Sequence, residues 1–148
     1  ELATLLDLAR GRKRIAELGT GTAWTTIAFA LGDPSMRVRS FDPVVRDQRQ
    51  LYLDLAGVHV RDRIELIEAT GAEGAKTSEA VGMLFVDSSH AYEETLAEFE
   101  AWRNRLRPAA VVAFHDYRHP DYPGVAQAIE QLGLGGEVVG GMFIWRAP

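Results

Sequence analysis

The 148-residue sequence predicts a single α/β domain, residues 1–148, built on a doubly wound, mostly parallel sheet of seven strands that ends in an antiparallel hairpin. Three observations support this prediction. Short apolar runs alternate with helical patterns along the whole chain, which is typical of parallel strands joined by helices. Gly19 and Gly21 follow the first run, where a strand would turn into a helix. Gly140-Gly141 separates the last two runs, as the turn of a hairpin would.

Strands are predicted where short apolar runs lie between Gly, Pro or Asp residues. In chain order these runs are 14–18, 36–41, 64–69, 83–86, 109–114, 137–139 and 142–145. The run at 83–86 is apolar throughout and ends at Asp87, which is typical of a strand buried on both faces. Pro108 lies just before the fifth run, so we expect it to end the preceding helix.

Helices are predicted where apolar side chains recur every three or four residues. In chain order these segments are 2–9, 22–31, 44–56, 92–106 and 125–132. The third ends at Gly57, and we expect Val44, Leu51 and Leu55 on its buried face. Residues 71–80 are small and polar, so we expect a loop there with at most a short helix.

The larger aromatic side chains are predicted to divide between the core and an acceptor site. Phe99 and Trp102 share one face of the segment 92–106, so we expect both in the core, together with Trp24. Tyr117 and Tyr122 follow the fifth strand. Loops at that edge of a parallel sheet hold substrates, so these two rings are candidates for an acceptor pocket.

Composition excludes several classes of function. The chain is 47% hydrophobic and 25% charged, as in an ordinary globular domain, and its formal net charge is −5. No basic stripe is present, so we predict no nucleic-acid partner. No apolar run approaches the roughly 20 residues of a membrane span, so we predict no membrane partner. The chain has no cysteine, which fits a reducing compartment, and we predict a cytoplasmic location.

Residues 17–23 form the most informative stretch of the chain. Gly19 and Gly21 lie where a strand turns into a helix, and glycine lets a ligand approach the backbone closely. Glu17 precedes them in the strand. Asp42 ends the second strand, the position of a ribose-binding carboxylate in doubly wound folds. The pattern predicts a cleft for a nucleoside-containing cofactor.

Two more acids end later strands, each with a histidine nearby. Asp87 follows the fourth strand and Asp116 the fifth, with His90 and His115 close in sequence. If these strands are neighbours, both carboxylates face one crevice, where they repel unless a cation or proton intervenes. Imidazole is a suitable proton acceptor near neutral pH. The alternatives are capping roles for the acids, a surface role for His90, and a ligand, base or supporting role for His115.

The order of elements and several motifs resemble the class I S-adenosylmethionine-dependent methyltransferases, which have a Rossmann-like fold. The motifs are Glu17-Leu-Gly-Thr-Gly21, Ser-Phe-Asp42-Pro, Glu68-Ala-Thr-Gly71, Phe-Val-Asp87-Ser-Ser-His90 and Phe-His115-Asp116-Tyr117. The last two are similar to those of small-molecule O-methyltransferases, in particular the enzymes that methylate sugar hydroxyls of macrolides. The resemblance covers nearly the whole chain.

This resemblance implies roles for the residues that bind the cofactor. The cofactor is S-adenosylmethionine, and the turn from Glu17 through Gly19 and Gly21 would meet its methionine portion. Asp42 would hold the ribose hydroxyls. Ala69 would lie in the loop beside the adenine, although the match is loose there. Asp87 would also face the reactive sulfonium.

The resemblance implies a metal and a base as well. Asp87 and Asp116 would be ligands of Mg²⁺ or another divalent cation, and His90 would be the general base. His115 stands where the family has a further metal-binding acid, and it is a weaker ligand for Mg²⁺ than a carboxylate. The expected metal set is therefore Asp87, Asp116 and His115, with His90, His115 and Asp87 as candidate catalytic residues.

Two other functions are compatible with the glycine turn. An NAD-dependent oxidoreductase shares the turn and the ribose acid, but the third glycine of its fingerprint is absent after Gly21. A non-catalytic methyltransferase-like binding module is the second alternative. For an enzyme, the expected partner is a small-molecule acceptor. It would bind in an open cleft, under a lid outside this sequence, or beside a partner subunit of a homo-oligomer.

Overall fold

The structure, a computed structural model, describes all 148 residues, Glu1–Pro148. Its strands are β1 Arg14–Leu18, β2 Arg37–Phe41, β3 Ile64–Ile67, β4 Val81–Val86, β5 Leu106–Phe114, β6 Glu137–Val139 and β7 Met142–Arg146. Its helices are α1 Leu2–Ala9, α2 Trp24–Gly32, α3 Gln48–Ala56, α4 Val58–Arg61, α5 Gly71–Thr77, α6 Tyr92–Trp102 and α7 Pro123–Gln131. None of the helices has the length and apolar character needed to cross a membrane.

All seven strands form one sheet in the order β3-β2-β1-β4-β5-β7-β6. The first five strands of that order run parallel, and β7 runs antiparallel to both β5 and β6. The predicted fold class is confirmed, including the terminal hairpin. The strand order reverses at β1, between β2 and β4, and ligands of such sheets bind beyond the carboxyl ends of the strands at that point.

The sheet is covered on both faces, as its continuous apolar strands require. On one face, side chains of α1, α2, α3 and α4 pack against the strands, with Phe29 fully buried. On the other face, α5, α6 and α7 cover a second cluster that contains Phe99 and Trp102. The Trp102 indole also donates a hydrogen bond of 2.8 Å to the Gly71 carbonyl, which ties α6 to α5. Phe99 and Trp102 are core residues, as predicted.

The prediction for the third helix was wrong in its start and its buried face. The helix begins at Gln48, and Val44, Leu51 and Leu55 are 55%, 58% and 75% exposed. The buried side chains of α3 are Arg49 and Leu53. They lie one turn apart on the face that the ion pair between Arg49 and Asp42 turns inward, so Leu51 and Leu55 lie on the outer face.

Trp24 was also misplaced by the sequence prediction. Its side chain is 63% exposed at the start of α2 and contacts the Tyr52 ring, with the ring centroids 4.7 Å apart. The residue that α2 buries at this end is Ala23, which adopts a left-handed conformation just before the helix. Trp24 is therefore on the outer side of the first turn.

The boundary between the fourth predicted helix and the fifth strand differs from the prediction. Helix α6 ends at Trp102, a 3₁₀ turn covers Arg103–Arg105, and β5 begins at Leu106. Pro108 therefore lies inside a strand. It is tolerated because the pairing shifts there: Val81 pairs with Leu106, and the next paired residue, Met83, pairs with Val111.

Candidate functional site

A cleft of about 480 Å³ lies at the carboxyl ends of the strands, where the strand order reverses. It is bounded by the glycine turn after β1, by residues 41–44 and 46 after β2, by 70–72 after β3, by 87–89 after β4 and by one side of α6. A larger cavity of about 740 Å³ lies between α6, α7 and the start of β5. It contains none of the predicted site residues, so the cleft is the candidate site.

The two glycines of the turn have different roles. Gly19 has φ of +94°, and a Cβ on it would lie 1.9 Å from the backbone oxygen of Asp87. Glycine is therefore required for β1 to pass close to the end of β4. Gly21 has φ of +52°, and no protein atom lies within 4 Å of the position that its Cβ would take. Since Gly21 also lines the cleft, that empty space is available to a ligand.

Glu17 is buried beneath this turn and does not reach the cleft. The hydroxyl of Ser40 donates a hydrogen bond of 2.6 Å to its carboxylate, and the hydroxyl of Thr26 donates another. Burial raises the pKa of Glu17 to about 7. Glu17 therefore ties β1, β2 and α2 together, and any influence on a bound cofactor is indirect.

Asp42 borders the cleft, but its carboxylate already has partners. It accepts hydrogen bonds from the backbone N–H groups of Val44 at 2.8 Å and Gly21 at 3.1 Å. The Arg49 guanidinium lies 2.5 Å from the same carboxylate and also donates to the Gly21 carbonyl at 2.8 Å. Arg49 is a site residue that the sequence analysis missed. Its only signal was a basic residue seven positions after the acid.

Ala69 is half-buried and packs against the core face that α5 and α6 cover. The residues that follow it, Thr70, Gly71 and Ala72, border the cleft instead. Thr70 caps α5, and its side chain and that of Glu73 form a capping box. The predicted loop is therefore next to the cleft, with the contact surface shifted by one residue.

Asp87, His90, His115 and Asp116 form one cluster, in which one ligand atom from each side chain lies within 4.8 Å of the others. His90 Nε2 is 3.1 Å from Asp87 Oδ1 and 3.2 Å from Asp116 Oδ2. His115 Nδ1 is 3.1 Å and 3.4 Å from the same two oxygens. The sequence analysis named all four, and β4 and β5 are neighbours as it required.

The backbone that supports the cluster is strained at two residues. His90 has φ of +61° and Asp116 has φ of +52°, which L-residues seldom adopt. His90 precedes α6, so it projects from the loop after β4 rather than from the helix. Its ring stacks on Tyr122 with the centroids 4.6 Å apart, and Tyr122 is 40% exposed at the rim. Strain of this kind is typical of functional sites.

Electrostatics within the cluster favour a bound positive charge. Burial alone would raise the pKa of Asp87, but the neighbouring imidazoles of His115 and His90 hold that pKa below its ordinary value. The Asp87 carboxylate raises the pKa of His115 to about 9, despite an opposing effect of burial. His115 Nδ1 is buried and makes no well-aligned hydrogen bond. Two carboxylates and an imidazole nitrogen without an aligned partner fit a divalent cation, which would displace the proton that this raised pKa keeps on His115 at neutral pH.

Tyr117, the other predicted acceptor residue, packs mainly inward. Its ring contacts Phe143 of β7 with the centroids 5.0 Å apart, and the Arg118 guanidinium covers it at 5.0 Å. Tyr122 lies closer to the cluster, between His90 and His119. Of the two rings, Tyr122 is therefore the one that borders the four-residue cluster.

The chain matches known proteins in both sequence and fold. A family model described as a methyltransferase domain matches residues 16–117. An uncharacterized protein of Sinorhizobium fredii is 29% identical over 121 residues, which cover 70% of this chain. The chain spans only 13% of the length of that relative.

Several solved structures share the fold. A TDP-rhamnose 3'-O-methyltransferase of calicheamicin biosynthesis has a TM-score of 0.76 at 20% identity, with 98% of this chain and 76% of that chain covered. An O-methyltransferase from Bacillus cereus in complex with SAH has a TM-score of 0.79 at 17% identity, with 99% and 78% covered. A cofactor-bound protein from MTB has a TM-score of 0.82 at 21% identity, also with 99% and 78% covered. These likenesses concern the fold.

Proposed function

The chain belongs to the methyltransferase domain family, and we propose that it transfers the methyl group of S-adenosylmethionine to the hydroxyl oxygen of a small molecule. The observation that supports this proposal most strongly is the position of Asp87. This residue borders the cleft beside Gly19 and also belongs to the four-residue cluster. A cofactor in the cleft would therefore present its reactive end to the acids and histidines.

The chemistry of the cleft walls supports one orientation of the cofactor. Its methionine portion would lie along the turn at Gly19 and Gly21, and its ribose would lie at Asp42. Asp42 borders the cleft, and its Oδ1 accepts only the Val44 N–H, so this oxygen keeps a free acceptor position for a ribose hydroxyl. Arg49 holds the carboxylate in place. The Bacillus cereus structure of the same fold, solved with SAH, supports this choice of cofactor.

The reaction requires alignment and a proton acceptor. The acceptor oxygen attacks the methyl carbon in line with the departing sulfur, which keeps the bonding electrons, so the products are a methyl ether and S-adenosylhomocysteine (SAH). His90 takes the hydroxyl proton. Asp87 and Asp116 hold its imidazole from one side, and the Tyr122 ring holds it by stacking. Tyr122, 40% exposed at the rim, would offer apolar contact to a ring-shaped acceptor, such as a sugar or a phenol.

A divalent cation fits beside this base. Asp87, Asp116 and His115 would hold it through two carboxylate oxygens and Nδ1. When bound, such a cation lowers the pKa of the acceptor hydroxyl and orients it. A donor set that includes an imidazole favours Mn²⁺ or Zn²⁺ over Mg²⁺, which prefers oxygen ligands. More than one metal is therefore worth testing.

The proposed activity is tested by incubating the protein with S-adenosylmethionine, Mn²⁺ and a panel of glycosides and phenols. Formation of SAH that depends on one of these acceptors is the expected result. Calorimetry should show binding of SAH and no binding of NAD⁺. Binding of NAD⁺ in preference to SAH would favour the oxidoreductase instead, and tight SAH binding without turnover on any acceptor would favour a binding module.

Asp42→Asn should weaken SAH binding about 5- to 150-fold, the equivalent of about 1–3 kcal/mol, because the ribose hydroxyls lose a charged acceptor. Asn is the better substitution, since Asp42→Ala would leave the buried Arg49 guanidinium without its partner, at a cost of about 3–5 kcal/mol in stability. Calorimetry measures the affinity. Asp54→Asn, on the exposed side of α3, is the control and should bind SAH normally. Parent-like affinity in Asp42→Asn would exclude the ribose role.

Chelation of metal should abolish turnover and spare SAH binding, because the cofactor contacts do not include His115 or Asp116. Readdition of Mn²⁺ or Mg²⁺ should restore the rate. Mn²⁺ binding, measured directly by electron paramagnetic resonance, should be lost in Asp116→Asn and kept in Asp121→Asn, an exposed acid of the same loop. A chelated sample that turns over at the parent rate would refute the metal role.

A further inference from the structure

A second buried acid, Glu98, borders the cleft and has no part in the proposed reaction. It lies on α6, is 6% exposed, and is among the residues that bound the cleft. Burial raises its pKa to about 7, although a hydrogen bond from Ser88 acts in the opposite direction. A buried carboxyl without a counter-charge is costly, and one that borders a ligand cleft suggests contact with the ligand.

The two oxygens of Glu98 have different surroundings. Oε2 accepts a hydrogen bond of 2.6 Å from the Ser88 hydroxyl. No residue of the chain donates to Oε1, which lies beside Gly71: a Cβ on Gly71 would be only 2.4 Å from it. Glycine at position 71 thus leaves the space that the carboxylate fills. Oε1 has a free acceptor position between the loops that follow β3 and β4.

The part of the cleft beside Glu98 is the part that the proposed contacts with the other portions of the cofactor leave open. Gly21 and Asp42 take the methionine and ribose portions, and Asp87 lies at the reacting end. The walls that remain include residues 70–72, Ser88 and Glu98. The remaining portion of the cofactor is its adenine base, which is planar and carries an amino group as a hydrogen-bond donor. Glu68, the acid nearest to the predicted adenine loop, is exposed and does not border the cleft.

We propose that Glu98 determines the specificity for the adenine base, with Oε1 accepting a hydrogen bond from the exocyclic amino group. The proposal rests on S-adenosylmethionine being the cofactor. Above the pKa of Glu98, which is about 7, a 6-oxo purine in the same place presents a carbonyl oxygen toward an ionised Oε1, so two acceptors face each other and the buried carboxylate stays unpaired. A site that hydrogen-bonds a substrate group strongly rejects analogues that lack this group, because its own buried polar atom is then left unpaired.

The test compares SAH with S-inosylhomocysteine, in which a carbonyl replaces the 6-amino group and N1 carries a proton, by calorimetry on the parent and on Glu98→Gln at a pH well above the Glu98 pKa of about 7, where this carboxyl is ionised. The parent should prefer SAH by roughly 10- to 100-fold. In Glu98→Gln the preference should fall to about threefold or less, because an amide can rotate to accept from the amino group or to donate to the carbonyl. The Ser88 hydroxyl can pair with either side chain. Glu100→Gln, at an exposed position two residues farther along α6, should keep the parent preference.

Each outcome has a distinct meaning. Equal affinity of the parent for both ligands overturns the proposal without any variant. An unchanged preference in a folded Glu98→Gln protein also overturns it and leaves Glu98 with a structural role. If Glu98→Gln does not fold, the proposal is tested by the preference of the parent for SAH and by Glu98→Asp. The shorter side chain of Asp withdraws the carboxylate from the base, so this variant should lose most of the discrimination. Failure of the parent to bind SAH at all refutes the proposed function itself.

Discussion

His90→Ala should lower turnover about 10²–10⁴-fold, the usual effect of losing a general base, while the affinity for SAH stays within about twofold of the parent. The imidazole lies against both carboxylates of the cluster and is absent from the walls of the cofactor cleft. Its loss therefore removes the proton acceptor and leaves cofactor binding intact. Turnover is measured as SAH formation at saturating S-adenosylmethionine, and affinity by calorimetry.

Two further measurements separate a base from a metal ligand at this position. Mn²⁺ affinity should be unchanged in His90→Ala and reduced in His115→Ala, because only His115 belongs to the proposed metal set. His59→Ala, an exposed histidine on α4, is the matched control and should retain the parent rate. Full activity in His90→Ala would make His115 the leading candidate for the base. A loss of Mn²⁺ affinity in His90→Ala would make all four residues ligands.

The convergence of the cluster was predictable from sequence because it follows from topology. Asp87 and Asp116 each end a buried run, and parallel neighbours place their carboxyl ends at the same edge. Only the adjacency of β4 and β5 was needed in addition, and the alternation of strands and helices made that pairing the natural expectation. The histidines followed because each lies within three residues of an acid.

The pairings between distant side chains were not predictable, because they depend on tertiary packing rather than on the spacing of apolar residues in the sequence. Arg49 faces inward only because Asp42 lies beneath α3, and this ion pair overrides the apolar pattern that placed Leu51 and Leu55 in the core. Likewise, Glu17 stands in a motif associated with cofactor contact. Its carboxylate is used instead to join Ser40 and Thr26 beneath the turn. Local spacing carries no information about either partner.

Glycine 21 gives the largest expected effect on cofactor binding. Gly21→Val should fold, because no protein atom lies near its Cβ position, and should lose SAH affinity by more than about 100-fold because its side chain would occupy the cofactor space. Gly19→Ala should behave differently. Its Cβ meets the Asp87 backbone oxygen, and φ of +94° adds strain, so the free energy of unfolding should fall by about 2–3 kcal/mol. The sequence alone suggested the same role for both glycines.

The two effects are separated by measuring thermal unfolding and SAH binding on the same samples. Gly19→Ala should lower Tm by about 4–12 °C, given roughly 2–4 °C for each kcal/mol in a domain of this size. Gly133→Val is the control for backbone strain: Gly133 has φ of +64°, has no protein atom within 4 Å of its Cβ position, and follows α7 away from the cleft. The Gly133→Val variant should show the same small loss of stability from backbone strain that is expected of Gly21→Val, and it should bind SAH normally. If Gly21→Val also bound SAH normally, no part of the cofactor could lie against this turn, and the cleft would have to serve another ligand.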